Sequence, residues 1–393
     1  MANPTYIEDY QIFPFPPLLG MKEFLNTFTD ILKAKDGSEQ RICFGPVPRQ
    51  VFRYRVFLNS DVTQARLEAM LFGWQKLYWA IPMWQEKTVH TTTISAGASA
   101  ITFNTAYADY RADTLAIIWK SQTEYETVLI STVNAGSLGL SENVVSTYTG
   151  NKVIMPCRLA QLVNPINTLQ VEKEQSFRDV YFEVVDNTLL ETHSAVATYG
   201  GVEVIEIPGL LDEGEERIIS GDLSLQDYFT GKFKYFSDSN YNIITRQYTR
   251  QFETKEECWN FRLWLHSLYG RQNAIWIPTF RNDLQLASTI EAADVEVQVS
   301  DIDLTANMGL NDLRTHLTFI LTDGTMYHRE ILDISQNSGG YDVVTIDSAL
   351  GEEVTSCDIS FLDKCRRESD EIEIDWEFGN TCKSKIGFVV VTA

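Results

Sequence analysis

The chain has 393 residues, 44% of them hydrophobic and 12% aromatic, which is more than one core usually holds, so two or more domains are expected. With 54 acidic against 32 basic residues the formal charge is −22, a balance that repels nucleic acid and anionic membrane surfaces as a whole. No window of about 18 or more apolar residues is present, and MANPTYIEDY lacks a secretion signal's basic and apolar stretches, so neither membrane insertion nor export is expected.

In chain order, residues 10–19 (YQIFPFPPLL) read as a strand ending in a proline kink. Residues 202–211 (VEVIEIPGLL) repeat the pattern, with Phe15 on Ile207 and Leu19 on Leu211. Apolar segments of undetermined type follow at 24–32 and 223–229. Each runs into a glycine turn, Asp36-Gly37-Ser38 in one case and Thr230-Gly231-Lys232 in the other. Residues 50–57 (QVFRYRVF) and 244–252 (ITRQYTRQF) then alternate as half-buried strands. Arg53, Arg55, Arg246 and Arg250 are assigned to the wet faces, either solvated or as ion pairs between subunits.

A helix follows in both places. Thr254 and Glu257 form a capping-box pattern, and Ser60-Asp61 opens the first copy less completely. Leu67, Met70 and Leu71 give the first helix an apolar stripe, as Phe261, Trp264, Leu265 and Leu268 do the second. The best-matched stretches come next, RLEAMLFGWQKLYWAIPMW (66–84) and RLWLHSLYGRQNAIWIPTF (262–280). Gly73 and Gly270 are expected as left-handed helix stops and Pro82 and Pro278 as strand ends, with Trp84 and Phe280 as the aromatics beyond them. The prolines stand 196 residues apart (278 − 82), half the chain, which is the spacing of a tandem duplication.

Both copies then carry an inserted β segment, about 88–155 and 286–362. LAIIWKSQTEYETVLIS (115–131) and LTFILTDGTMYHREILDIS (317–335) read as hairpins, the second with a tight turn at Asp323-Gly324. The halves converge again at 155–159 and 363–367, with Cys157 placed on Cys365. TLQVEKE (168–174) and EIEIDWE (371–377) alternate, and closing strands put Phe182 on Phe388. The expected fold class is mainly β: two tandem homologous sandwich or barrel domains, 1–190 and 191–393, each with one packed helix and an inserted β subdomain. The linker is expected near 188–200.

Chemistry-bearing patterns are scarce. The six cysteines read as reduced, mostly buried thiols; Cys357, Cys365 and Cys382 are the nearest approach to an iron–sulfur set, at a spacing that matches no ligand pattern. The five histidines are not paired at metal spacing, and no Walker loop, HExxH or GxSxG appears. Asp212-Glu213-Gly214-Glu215-Glu216 reads as a solvated loop. No catalytic, cofactor or metal residue is assigned. One pattern has mechanical meaning: Glu371, Glu373, Asp375 and Glu377 share one strand face, opposite Ile372, Ile374 and Trp376. Such a face is either an exposed surface or a channel lining to which phosphates do not adhere.

LFGWQKLYWAIPMW (71–84) and LYGRQNAIWIPTF (268–280), preceded by RQVFRYRVF (49–57) and TRQYTRQF (245–252), resemble the tail-tip and baseplate hub proteins of long-tailed bacteriophages, the minor and distal tail families. The resemblance implies a non-enzymatic virion protein at the tail tip, assembled in the host bacterial cytoplasm. It implies a ring between the tail tube and the hub or fibre proteins, through which DNA and tape-measure protein pass. A doubled domain implies a homotrimer with pseudo-sixfold symmetry, with a homohexamer second. Two other readings are a carbohydrate-binding tail protein presenting Trp84, Trp119 and Tyr125, and a tail-associated cell-wall hydrolase.

Overall fold

The computed structural model describes residues 10–74, 78–163, 166–190, 197–210, 215–231, 233–309, 313–377 and 381–392. The chain is mainly β, built of large antiparallel sheets with three α-helices among the described residues. The apolar segments at 24–32 and 223–229 belong to strands, Met21–Lys33 and Arg217–Asp227. Each is one arm of a long hairpin whose other arm is Glu39–Leu58 or Phe233–Phe252. The turns hold Gly37 at φ +90° and Gly231 at φ +80°, a backbone region that side chains disfavour.

Eight strands form one continuous sheet through both halves. Their order is Asn167–Glu172, Gln175–Val184, Glu39–Leu58, Met21–Lys33, Glu371–Trp376, Cys382–Val390, Phe233–Phe252 and Arg217–Asp227, all neighbours antiparallel. The first four strands come from the first half and the last four from the second. Met21–Lys33 and Glu371–Trp376 meet in the middle, with Met21 opposite Trp376 and Asn26 opposite Glu371.

The strand pairings within residues 10–184 recur within 204–390, register included. Tyr54 faces Val180 as Tyr248 faces Ile386, and Phe52 faces Phe182 as Arg246 faces Phe388. Pro82 faces Cys157 as Pro278 faces Leu362. Ile12 runs parallel beside Ala80, and Val204 bridges in parallel to Trp276. Both long hairpins slip register at the same point: Asn26 faces Arg49 but Thr29 faces Cys43, and Gly221 faces Asn242 but Leu223 faces Ser237. Leu162 faces Phe182 as Arg367 faces Phe388, which sets Cys365 beside Ala160 rather than Cys157. The expected cysteine match is thus three residues out of register; two similar short motifs misled the alignment where strand pairing decides.

The helices are α1, Asp61–Trp74, and α2, Lys255–Ser267. Thr254 caps α2 in a full capping box with Glu257. Ser60 Oγ accepts from Thr63 N at 3.2 Å at the start of α1. Aligned on these caps, Leu67 corresponds to Phe261 and Glu68 to Arg262. Gly270 is left-handed at φ +69°, but Gly73 lies inside α1 and is not. The expected stop at Gly73 is corrected: α1 runs on to Trp74. Pro82 and Pro278 do end their strands.

The main apolar core runs through both halves, from Phe13, Phe52, Trp79 and Phe182 to Leu265, Ile374 and Phe388. Phe13 meets Phe182 edge-on at 5.0 Å and Trp79 at 5.8 Å. Two separate clusters lie in the β segments, one over residues 94–154 and one over 284–361.

Candidate assembly interface

The seam between the halves carries a buried polar site. Glu23, on Met21–Lys33, is fully buried, because its neighbours Met21, Phe24 and Leu25 draw that strand into the core. Its carboxylate accepts from Gln50 Nε2 at 2.7 Å and from Trp376 Nε1 at 2.8 Å. It also stands 3.1 Å from a guanidinium nitrogen of Arg262, likewise buried, on α2 of the other half. Arg262 donates in addition to Glu86 at 2.5 Å, and Glu86 accepts from the backbone N of Asp109 at 2.6 Å. Asp109 pairs with Arg158 at 2.5 Å and with Arg111.

Burial works against the Arg262 charge, but Glu23, Glu86 and Asp109 outweigh it and raise the guanidinium pKa. Burial likewise opposes an ionised Asp109, yet Arg158, Arg111 and Arg262 hold its carboxyl below the usual range. His266, one turn along α2, is pushed down to about 3 by burial and by Arg262. It accepts from Leu190 N at 3.2 Å and so serves as a neutral acceptor.

Around this centre the first hairpin grips the second half. Arg366 forks onto Glu39 at 2.6 and 3.0 Å. Asp370 accepts from Thr29 N at 2.9 Å and from Arg271 Nε at 3.0 Å, and Cys43 N donates to Gln272 at 2.8 Å. At Gly270 an added Cβ would stand 2.3 Å from Thr27 Oγ1. Glycine there allows both the left-handed turn and the close approach of the strand.

The arginines and carboxylates singled out from the sequence distribute unevenly. Arg53 and Arg55 are exposed: Arg55 pairs with Asp179 at 2.7 Å within its own half, and Arg53 lies between the Phe24 and Tyr181 rings. Arg246, expected on the wet face, is buried and donates to the carbonyls of Ile277 and Pro278 and to Glu215. Alternation puts it with Ile244 and Tyr248, at the place Phe52 fills in the first half. Arg250 is half-buried against Tyr248 and Phe252. Glu371, Glu373, Asp375 and Glu377 do face away from buried Ile372, Ile374 and Trp376, but Lys22 pairs with Glu373 in the middle of them. The strip is therefore partly neutralised.

Trp84 is buried edge-on against Trp119, at 5.3 Å, so it offers no platform for a sugar. Phe280 is half-buried at φ +51°. Cys357 lies in the β-segment cluster and Cys365 in the main core, while Cys382 neighbours Cys258. No set of three His, Cys, Asp or Glu side chains is placed for a metal ion among the described residues. The centre of the expected linker, 191–196, and Asp212, Glu213 and Gly214 lie outside the described residues; Glu215 pairs with Arg246 at 2.8 Å.

Sequence reasoning missed Glu23, Arg262, Glu68 and Arg217. A signal existed for two of them: Glu23 shares strand parity with apolar Met21 and Leu25, and Arg262 is a charge set within FRLWL. No protein-family model matches the chain, and no curated protein matches it.

Proposed function

We propose that this chain is a non-enzymatic structural subunit of a ring at the tail tip of a long-tailed bacteriophage. In this reading residues 1–190 and 191–393 are two copies of one ancestral domain, and each chain supplies two neighbouring wedges. The observation that carries it is the recurrence of one set of strand pairings, register slips included, in two halves joined side by side through a sheet. Two like units set edge to edge at one seam need only the same step repeated to build an annulus. Three chains would then present six wedges to the tail tube on one side and to hub or fibre proteins on the other. DNA and tape-measure protein would pass through the middle. The β segments, each with a core of its own, would offer neighbouring tail proteins places to dock.

Electron microscopy of the purified protein, with its mass in solution, tests this. The expected particle is a trimer with a central hole and six-lobed appearance. A compact particle without a hole would end the reading.

A further inference from the structure

The eight-stranded sheet has two outer edges, Asn167–Glu172 and Arg217–Asp227, and each is the counterpart of a strand used at the seam. Arg217 faces Arg246 as Glu23 faces Phe52, so Arg217–Asp227 corresponds to Met21–Lys33. Thr168 faces Arg178 as Ile374 faces Ser384, so Asn167–Glu172 corresponds to Glu371–Trp376. What is covered at the seam is bare at the outer edges. Leu25 is 2% exposed and its counterpart Ile219 61%; Phe24 is 4% exposed and Ile218 50%. Leu169, Val171, Leu223 and Leu225 are exposed as well. Two long apolar edges left open in this way are a template for strand pairing.

The charges at these edges are complementary, in reversed sense. At the seam a strand carboxylate, Glu23, meets a helix arginine, Arg262. At the corresponding places the outer strand carries Arg217 and α1 carries Glu68. The Nε and one terminal nitrogen of Arg217 are buried and have no hydrogen-bond partner among the described residues. Glu68 is more than half exposed and spends one carboxylate oxygen on Arg178, at 2.8 Å. A guanidinium wanting an acceptor and a carboxylate with one to give thus sit where the seam geometry would bring them together across two chains.

We propose that Arg217–Asp227 of one copy pairs antiparallel with Asn167–Glu172 of a second copy, in the seam's own register, with Arg217 meeting Glu68 of that copy. Arg217 then stands opposite Thr168 and Ile218 opposite Asn167. The contact is head to tail, and this deepening rests on the ring reading only for closure into an annulus. Reversal of the charge pair between seam and outer edge also keeps the two junctions from substituting for each other, since Arg217 would meet Arg262 and Glu23 would meet Glu68 in the wrong pairing.

Charge reversal tests it. The wild-type chain is expected to assemble, and Arg217→Glu or Glu68→Lys alone to weaken assembly about 100-fold. The double variant Arg217→Glu/Glu68→Lys is expected to recover to within about tenfold of wild type. In an equimolar mixture of the two single variants every junction between unlike chains pairs opposite charges while junctions between like chains repel, so the mixture should assemble, with the two chains alternating, where each variant alone does not. A cysteine pair, Ile218→Cys with Asn167→Cys, should cross-link neighbouring chains under oxidation even if a charge variant folds poorly. If the single variants assemble normally and the cysteine pair fails to cross-link, these edges are not the interface, although a ring with a hole would still stand. If the edges cross-link into particles that have no hole, the pairing survives and the ring reading falls. A wild-type chain monomeric at all concentrations overturns both.

Discussion

Met21–Lys33 and Arg217–Asp227 hold the same place in matching hairpins, with the same slip in register, yet one is sealed under a neighbouring strand and the other stands open. Their sequences do not foretell which. Phe24-Leu25 and Ile218-Ile219 are equally apolar pairs at corresponding positions. What separates them is the neighbour: Glu371–Trp376 follows in the same chain to cover the first, and among the described residues no strand pairs with the outer side of the second. Burial of a strand edge is thus set by the strand laid beside it, and not by the apolar character of the edge itself.

The largest effect should come from breaking the sealed seam at its charge. Arg262→Ala leaves Glu23 and Glu86 without their cation in the interior, and should cost about 3–5 kcal/mol in a denaturant titration. A loss no larger than that of a surface arginine would show that the seam is held by the strand pairing alone.

Acid should act on the same place. The folded-state pKa of His266 is depressed to about 3, against an ordinary value of 6.5. Its contribution is complete above pH 6.5 and is lost as pH falls from 6.5 towards 3, because the unfolded chain takes up the proton first. At pH 5 the loss is about 2 kcal/mol. Asp363, raised to about 6 by burial in spite of Arg314 and Arg246, works the other way over the same range, favouring the fold at lower pH. The measurement is therefore a comparison: His266→Asn should lose less stability than wild type between pH 7 and 5 by urea unfolding.

Glycines sharpen the contrast further. Gly270→Ala puts a Cβ against Thr27 and into a left-handed residue, and should destabilise by about 1–2 kcal/mol. Gly73→Ala, inside a helix with nothing within 4 Å of the new methyl, should stabilise by about 0.5–1 kcal/mol. Thermal midpoints moving in the same direction would contradict the different roles of the two glycines. Least of all is expected from Asp179→Asn, which loses the exposed bridge to Arg55 and should leave the melting midpoint unmoved.

Much of the framework was legible because it rests on local signals. The capping box at Thr254, the turn glycines and the alternation of EIEIDWE each fix a short piece of chain without reference to anything distant. Where those signals competed with tertiary pairing they misled. Gly73 looked like a stop, but α1 has one more residue of helix to spend before its strand, and the Cys157 and Cys365 motifs resemble each other out of register. Arg246 was misassigned because arginine suggests water, whereas its parity along the strand places it with Tyr248. The seam itself was not legible: Glu23 and Arg262 are 239 residues apart (262 − 23), and only the folded sheet brings them to 3.1 Å.

The central strand pair has a consequence for synthesis. Lys22 and Glu373 are separated by 351 positions, so Met21–Lys33 cannot meet its partner until the ribosome has made the chain as far as Glu371–Trp376. At about 5–20 residues per second the N-terminal hairpin waits roughly 20–70 s with its apolar rim uncovered. A product that stopped before Glu371 would keep that rim open for want of the complementary strand. Closure of the central sheet thus waits on a strand of the second half, however early the first hairpin forms.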